Sequence, residues 1–151
     1  RGDYDKINTF ILDPHRQEEI KDSSDFLWIN DSKATNIDAT LAALRTYANQ
    51  KIYLILGGDD KGVELEELFI PMKQYNIEIF AIGSNALRLE VLSKKYQLPC
   101  EVCHTLDVAV EKIKQKMTKD SIGMLSPAAA SLDQFSSYAE RGNLFKELVK
   151  S

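Results

Sequence analysis

The run Lys51-Ile52-Tyr53-Leu54-Ile55-Leu56, closed by Gly57-Gly58, constrains the fold more than any other stretch. Successive side chains of a strand point to opposite faces, so a strand with no polar alternation must be covered from both sides. A parallel sheet flanked by helices supplies that cover. The flanking sequence agrees. Ile37, Leu41, Leu44 and Tyr47/Ala48 repeat at helical spacing and predict a helix over about 37–48. Leu65, Leu68, Phe69, Met72 and Tyr75 give a second helical face, which Pro71 should kink or break.

The alternation continues. Glu78–Ile82 reads as a strand closed by Gly83, and Ser84 as the cap of a helix carrying Leu87, Val91 and Leu92. A short strand near Cys100 follows. Thr105 is expected to cap a helix with Leu106, Ala109/Val110, Ile113 and Met117 inward. Ser121–Leu125 is the last strand, and Leu144, Phe145, Leu148 and Val149 mark a final amphipathic helix. Near the start, Gln17–Ile20 and Asp25–Ile29 flank a polar Lys21–Ser24 turn and read as a hairpin or a strand with an irregular return. The expected class is α/β: a Rossmann-like, mostly parallel sheet with helices on both faces and one antiparallel edge strand. Residues 14–151 form one domain in this reading, and 1–13 the tail of something preceding it.

Composition narrows the function. A net charge of −4 and a pI near 5.2 argue against a nucleic-acid or anionic-membrane surface. No apolar run approaches the roughly 18 residues of a membrane span. Arg1–Lys6 does not read as a signal peptide, so a cytoplasmic protein is expected. The dinucleotide fingerprint Gly-x-Gly-x-x-Gly is absent, and Gly57-Gly58-Asp59-Asp60-Lys61-Gly62 has phosphate-loop residues in the wrong spacing. Cys100-Glu101-Val102-Cys103-His104 spells a haem-attachment pattern. Residues three apart on a strand point to opposite faces, however, and two opposed thiols cannot clamp one cofactor. No metal site is expected.

The chemistry gathers at loops. Asn30-Asp31-Ser32-Lys33-Ala34-Thr35-Asn36 joins the apolar run Phe26–Ile29 to the helix beginning near Ile37, with Thr35, Asn36 or Asp38 available as N-cap. Such a turn lies at the carboxyl end of a strand, where open α/β sheets bind ligands. The first helical turn and Lys33 suit an anion, whereas Asp31 suits a hydroxyl or ammonium group. Four loops should meet there, around Arg16, Asp31–Thr35, Asp59–Lys61 and Ser126–Tyr138. They offer the cations Arg16, Lys33 and Lys61, the hydroxyls of Thr35, Ser126 and Ser131, and amide donors around Ala130–Leu132. That donor set fits a small anion, a dicarboxylate or a phosphate.

Four strings also carry a resemblance: Pro14-His15-Arg16, Asn30–Asn36 after Trp28-Ile29, Gly57-Gly58-Asp59-Asp60-Lys61, and Leu125-Ser126-Pro127-Ala128-Ala129-Ala130-Ser131-Leu132-Asp133-Gln134-Phe135. In that order, across residues 14 to 148, the chain resembles the C-terminal domain of the Mur ligases, and among them the D-glutamate-adding branch. The resemblance implies an ATP-dependent ligase that joins D-glutamate to UDP-N-acetylmuramoyl-L-alanine through an acyl phosphate, in peptidoglycan precursor synthesis. It implies that Thr35, Lys61, Ser131 and Leu132 hold the two carboxylates of D-glutamate, with Tyr138 at the family's aromatic site. Phenylalanine is expected at that site, so Tyr138 is a departure. Arg16, Asp31 and Lys33 fall on the nucleotide-facing side. The ATP phosphates and Mg2+ would be held mainly by a central domain absent from this sequence, so the chain alone should be inactive. The neighbouring readings are another Mur ligase, folylpolyglutamate synthetase, or a non-catalytic nucleotide- or amino-acid-binding module.

Overall fold

The computed structural model describes residues 14–151, and the expectation for 1–13 lies outside the described residues. In chain order the elements are β1 (Glu18–Lys21), β2 (Leu27–Asn30), α1 (Ile37–Thr46), β3 (Lys51–Leu56), α2 (Glu66–Met72), β4 (Ile77–Ile82), α3 (Ala86–Lys95), β5 (Cys100–His104), α4 (Leu106–Lys114), β6 (Ser121–Leu125) and α5 (Tyr138–Lys150). The six strands make one sheet in the order β1-β2-β6-β3-β4-β5. Strand β1 pairs antiparallel with β2, Glu18 opposite Asn30 and Lys21 opposite Leu27, and all other pairs are parallel. The hairpin and the antiparallel edge strand are as expected.

Strand β3 is buried on both faces for the reason its sequence suggests. Ile52, Leu54 and Leu56 join Leu44 of α1, Phe69 of α2 and Leu89 of α3 on one side. Tyr53 and Ile55 join Ile113 of α4 and Phe145 of α5 on the other. At the sheet centre Trp28 stands opposite Gly123 of β6, the indole occupying the space a side chain at 123 would need. Its Nε1 donates to Asp22 Oδ2 at 2.9 Å, while Asp22 Oδ1 accepts the N–H groups of Ser24 and Phe26. One carboxylate thus shapes the β1–β2 turn and satisfies the buried indole.

Three local readings change. Helix α1 ends at Thr46 rather than 48. Helix α3 begins after Asn85, not Ser84, because Ser84 is drawn into other bonds: its hydroxyl donates to Gly58 O and its N–H to Asp133 Oδ2. The inward face of α3 is Ala86, Leu89 and Ser93, leaving Leu87 and Val91 62% and 65% exposed. Apolar residues lie all round this helix, so periodicity could not choose its face. Pro71 sits in the last turn of α2, which ends one residue later. Cys100 packs with the α1–α3 side and Cys103 with the α4–α5 side, on opposite faces as strand geometry requires. Burial pushes the Cys103 thiol up to about 11.

Because β2, β3, β4 and β6 run parallel, their carboxyl ends share one edge of the sheet. The residues before antiparallel β1 arrive at the same edge, where Glu18 faces Asn30.

Candidate functional site

Asn36 caps α1, its Oδ1 accepting from Ala39 N at 2.9 Å. The preceding turn is held by Asp31 N donating to Leu125 O and Ala34 N to Asp31 O. Asp31 is 3% exposed; Oδ1 accepts from Gln17 N at 3.0 Å and Oδ2 from Ser126 Oγ at 2.6 Å. Burial raises its pKa, against the pull of those two bonds and of nearby Arg16. Ser126, expected among the exposed donors, is fully buried and gives its hydrogen to Asp31. Arg16 is exposed and lies close enough to act on the Asp31 carboxylate, which the hairpin geometry anticipates.

Lys33 and Tyr138 form a second group. The ammonium of Lys33 lies 5.9 Å from the Tyr138 ring centroid, a cation–π arrangement, and His15 meets that ring edge-on at 6.1 Å. Tyr138 is the first residue of α5, and its carbonyl accepts from Ser32 Oγ at 2.7 Å. His15 is nearly buried beside it. Asn30 Oδ1 accepts from Ser32 N, so its Nδ2 hydrogens go to Glu18 Oε1 and His15 Nδ1. The ring therefore accepts at Nδ1 and is neutral, with its pKa lowered first by burial and then by Lys146.

Thr35, Lys61, Ala128 and Ala130 all line one cavity of about 400 Å³. Lys61 has a left-handed backbone (φ +54°) at the apex of the β3–α2 loop. Asp59 and Ala130 exchange two N–H···O bonds of 2.9 Å, zipping this loop to the one after β6. Gly58 allows the approach: at φ +145° a Cβ there would overlap Ala130 O. Ser131 and Leu132 continue from Ala130, Ser131 4% exposed and Leu132 65% exposed. Thr35, Lys61 and Ala130 thus share the cavity, while Ser131 and Leu132 follow Ala130 in the chain without lining it. Tyr138 lies instead with Lys33 and His15.

Sequence reasoning missed Arg141, the strut between these groups. Its side chain, 1% exposed, reaches from α5: Nε donates to Ser32 Oγ (2.9 Å), Nη2 to Ser32 O (2.7 Å) and Nη1 to Ala129 O (3.2 Å). Burial pulls its pKa down to about 10, with Asp133 opposing. The signal was faint but present, since Arg141 shares the inward line of Phe145 and Val149 at four-residue spacing. The cavity itself is lined by Asp38, Asp59, Asp60 and Glu67 as well as Lys61. One ammonium, a hydroxyl and several carboxylates in one small space suit a ligand bearing charges of both signs, as an amino acid does.

Comparison with known proteins agrees with this architecture. The chain is 52% identical over 144 residues to the UDP-N-acetylmuramoylalanine–D-glutamate ligase of Helicobacter pylori, covering 95% of this chain and 34% of that protein. It is 49% identical over 146 residues to the ligase of the same name from Campylobacter jejuni, covering 97% of this chain and 36% of that protein. The chain therefore spans about a third of the length of the curated relatives it matches. Among solved structures, the fold is shared with a bifunctional folylpolyglutamate synthase/dihydrofolate synthase from Yersinia pestis, complexed with AMPPNP and a Mn ion (TM-score 0.62, 12% identity, 91% of this chain and 32% of that one). It is also shared with UDP-N-acetylmuramate-alanine ligase from Thermotoga maritima (TM-score 0.56, 12% identity, 88% and 29%). A family model described as Mur ligase, glutamate ligase domain, matches residues 15–129, and the chain belongs to that family.

Proposed function

We propose that residues 14–151 are the amino-acid-binding domain of a cytoplasmic ATP-dependent ligase that adds D-glutamate to UDP-N-acetylmuramoyl-L-alanine, with 1–13 the tail of a preceding domain. The observation that carries this reading is the single cavity lined by Lys61, Thr35 and Ala130. Its size suits a small amino acid, and the identity to ligases of that name supports D-glutamate as the substrate. Thr35, Lys61, Ser131 and Leu132 hold the two carboxylates, and Tyr138 borders the site. Arg16, Asp31 and Lys33 form the nucleotide-facing side. Asp31, buried with its oxygens on Gln17 N and Ser126 Oγ, holds the turn that carries Lys33 on that side.

In the reaction the substrate carboxylate is activated as an acyl phosphate by ATP, the amine of D-glutamate attacks, and phosphate leaves. This domain's part is orientation, presenting the amine in line with the acyl carbon. Among the described residues no group of three or more His, Cys, Asp or Glu side chains could hold a metal ion. In this reading the metal and the ATP phosphates are held mainly by a central domain of the full-length ligase. No described helix is long and apolar enough to cross a membrane.

The test is Lys61→Ala in the full-length ligase. Losing a charge-assisted bond of about 1.5–3 kcal/mol should raise KM for D-glutamate roughly ten- to hundredfold. KM for ATP should stay within about twofold. Equal effects on both substrates would remove Lys61 from the amino-acid site.

A further inference from the structure

The loop that carries Lys61 is gripped by helix α3, which among the described residues contributes none of the cavity lining. Two side chains do this. Asn85, 9% exposed, accepts from Gly58 N through Oδ1 at 2.9 Å and donates through Nδ2 to Asp60 Oδ2 at 3.0 Å. Arg88, one turn along, donates through Nη1 to the same Asp60 oxygen at 2.7 Å and through Nη2 to Val63 O at 2.8 Å. The other Asp60 oxygen accepts from Gly62 N at 2.9 Å. Gly58, Asp60, Gly62 and Val63 are therefore fixed, and Lys61 stands between them. Its φ of +54° is a conformation disfavoured for any residue with a Cβ, which persists when surrounding contacts over-determine it.

Charge adds a second consequence. Four carboxylates line the cavity against one ammonium, a poor balance for a ligand with two carboxylates of its own. Asp60 is 11% exposed at its side chain and would add its charge to that space, but Arg88 neutralises it from behind. Burial works to raise the Asp60 pKa, yet the bonds from Asn85, Gly62 and Arg88 hold it below the ordinary value. We infer that Arg88 and Asn85 are positioning residues for Lys61, and that Arg88 also lowers the cavity's excess of negative charge by offsetting Asp60. This inference rests on the reading of Lys61 as a carboxylate-binding residue.

The Arg88 side chain is 39% exposed, and Asp60 keeps its bonds from Asn85 and Gly62 N without it, so removing Arg88 should show in KM more than in stability. In the full-length ligase, Arg88→Leu should raise KM for D-glutamate about tenfold, leaving kcat and KM for ATP within about twofold and Tm within roughly 2 °C. Arg88→Leu/Asp60→Asn should recover at least about threefold of that loss, because asparagine keeps an acceptor for Gly62 N without the charge. Arg88→Lys, which keeps the charge and loses the two-pronged grip, should fall between wild type and Arg88→Leu. An unchanged D-glutamate KM in Arg88→Leu, alongside a raised one in Lys61→Ala, overturns the clamp. A double variant no better than Arg88→Leu overturns the charge assignment. Were Lys61→Ala itself silent, the reading of the cavity would fail first and the clamp would have nothing to position.

Discussion

Replacing Arg141 by methionine removes the strut between the Asp31–Thr35 turn and the loop after β6 while keeping a long apolar stem. Three hydrogen bonds go, to Ser32 Oγ, Ser32 O and Ala129 O, all at buried positions. Bonds from a charged donor contribute about 1.5–3 kcal/mol each, so the loss is roughly 4–9 kcal/mol. Against it stands the cost of burying the guanidinium. A guanidinium pKa pulled down to about 10 by burial corresponds to about 3 kcal/mol at neutral pH, which methionine does not incur. The net expectation is a loss of about 1–6 kcal/mol, or a Tm lower by roughly 2–24 °C for a chain of this length. Calorimetry of the described domain measures it directly. Hydrogen exchange should localise the loosening, with the Ser32 and Lys33 amides exchanging faster than those of β3. A Tm drop below about 2 °C would refute the argument, because it would mean the three acceptors find equivalent partners without Arg141.

Gly123→Ala would drive a methyl group into the Trp28 indole, 2.6 Å from Cζ3, and should cost about 1–3 kcal/mol by overpacking, read from the urea midpoint. His15 has a folded pKa below 6.5, so the unfolded chain takes up the proton first and stability falls as pH drops below 6.5. His15→Asn keeps an acceptor for Asn30 without titrating, and should flatten the Tm profile between pH 6.5 and 4.5; below that Glu18, whose pKa is lowered, begins to add its own loss. An unchanged profile would assign the decline to another group. The 151-residue chain alone should release no phosphate from ATP above a contaminant control, and steady release would overturn the division of labour proposed for the full ligase.

The elements themselves were legible because they rest on short-range rules. An unalternating apolar strand demands cover on both faces, and Ile52/Leu54/Leu56 and Tyr53/Ile55 obtain it from different helices. The strand–turn–helix at Asn30–Asn36 and the glycine pair that ends β3 were legible before any side chain was placed. Strand order was not legible. Nothing local says that β6, the last strand made, slots between β2 and β3, because those pairings join residues far apart in the chain, Trp28 with Gly123 and Lys51 with Ser121.

The same distance separates what the sequence determined about the site from what tertiary structure decided. Residue types alone nominated Thr35 and Lys61, and the resemblance paired them; both line one cavity. Only the fold could put Tyr138 over Lys33, close Asp31 inward on Ser126, and set Arg141 beneath Ser32, 109 residues away in the chain. Nor could periodicity show that Leu87 and Val91 face outward while Asn85 and Arg88, on the same helix, hold Asp60. A helix carries its spacing in sequence, but its rotation about its own axis is settled by what it packs against.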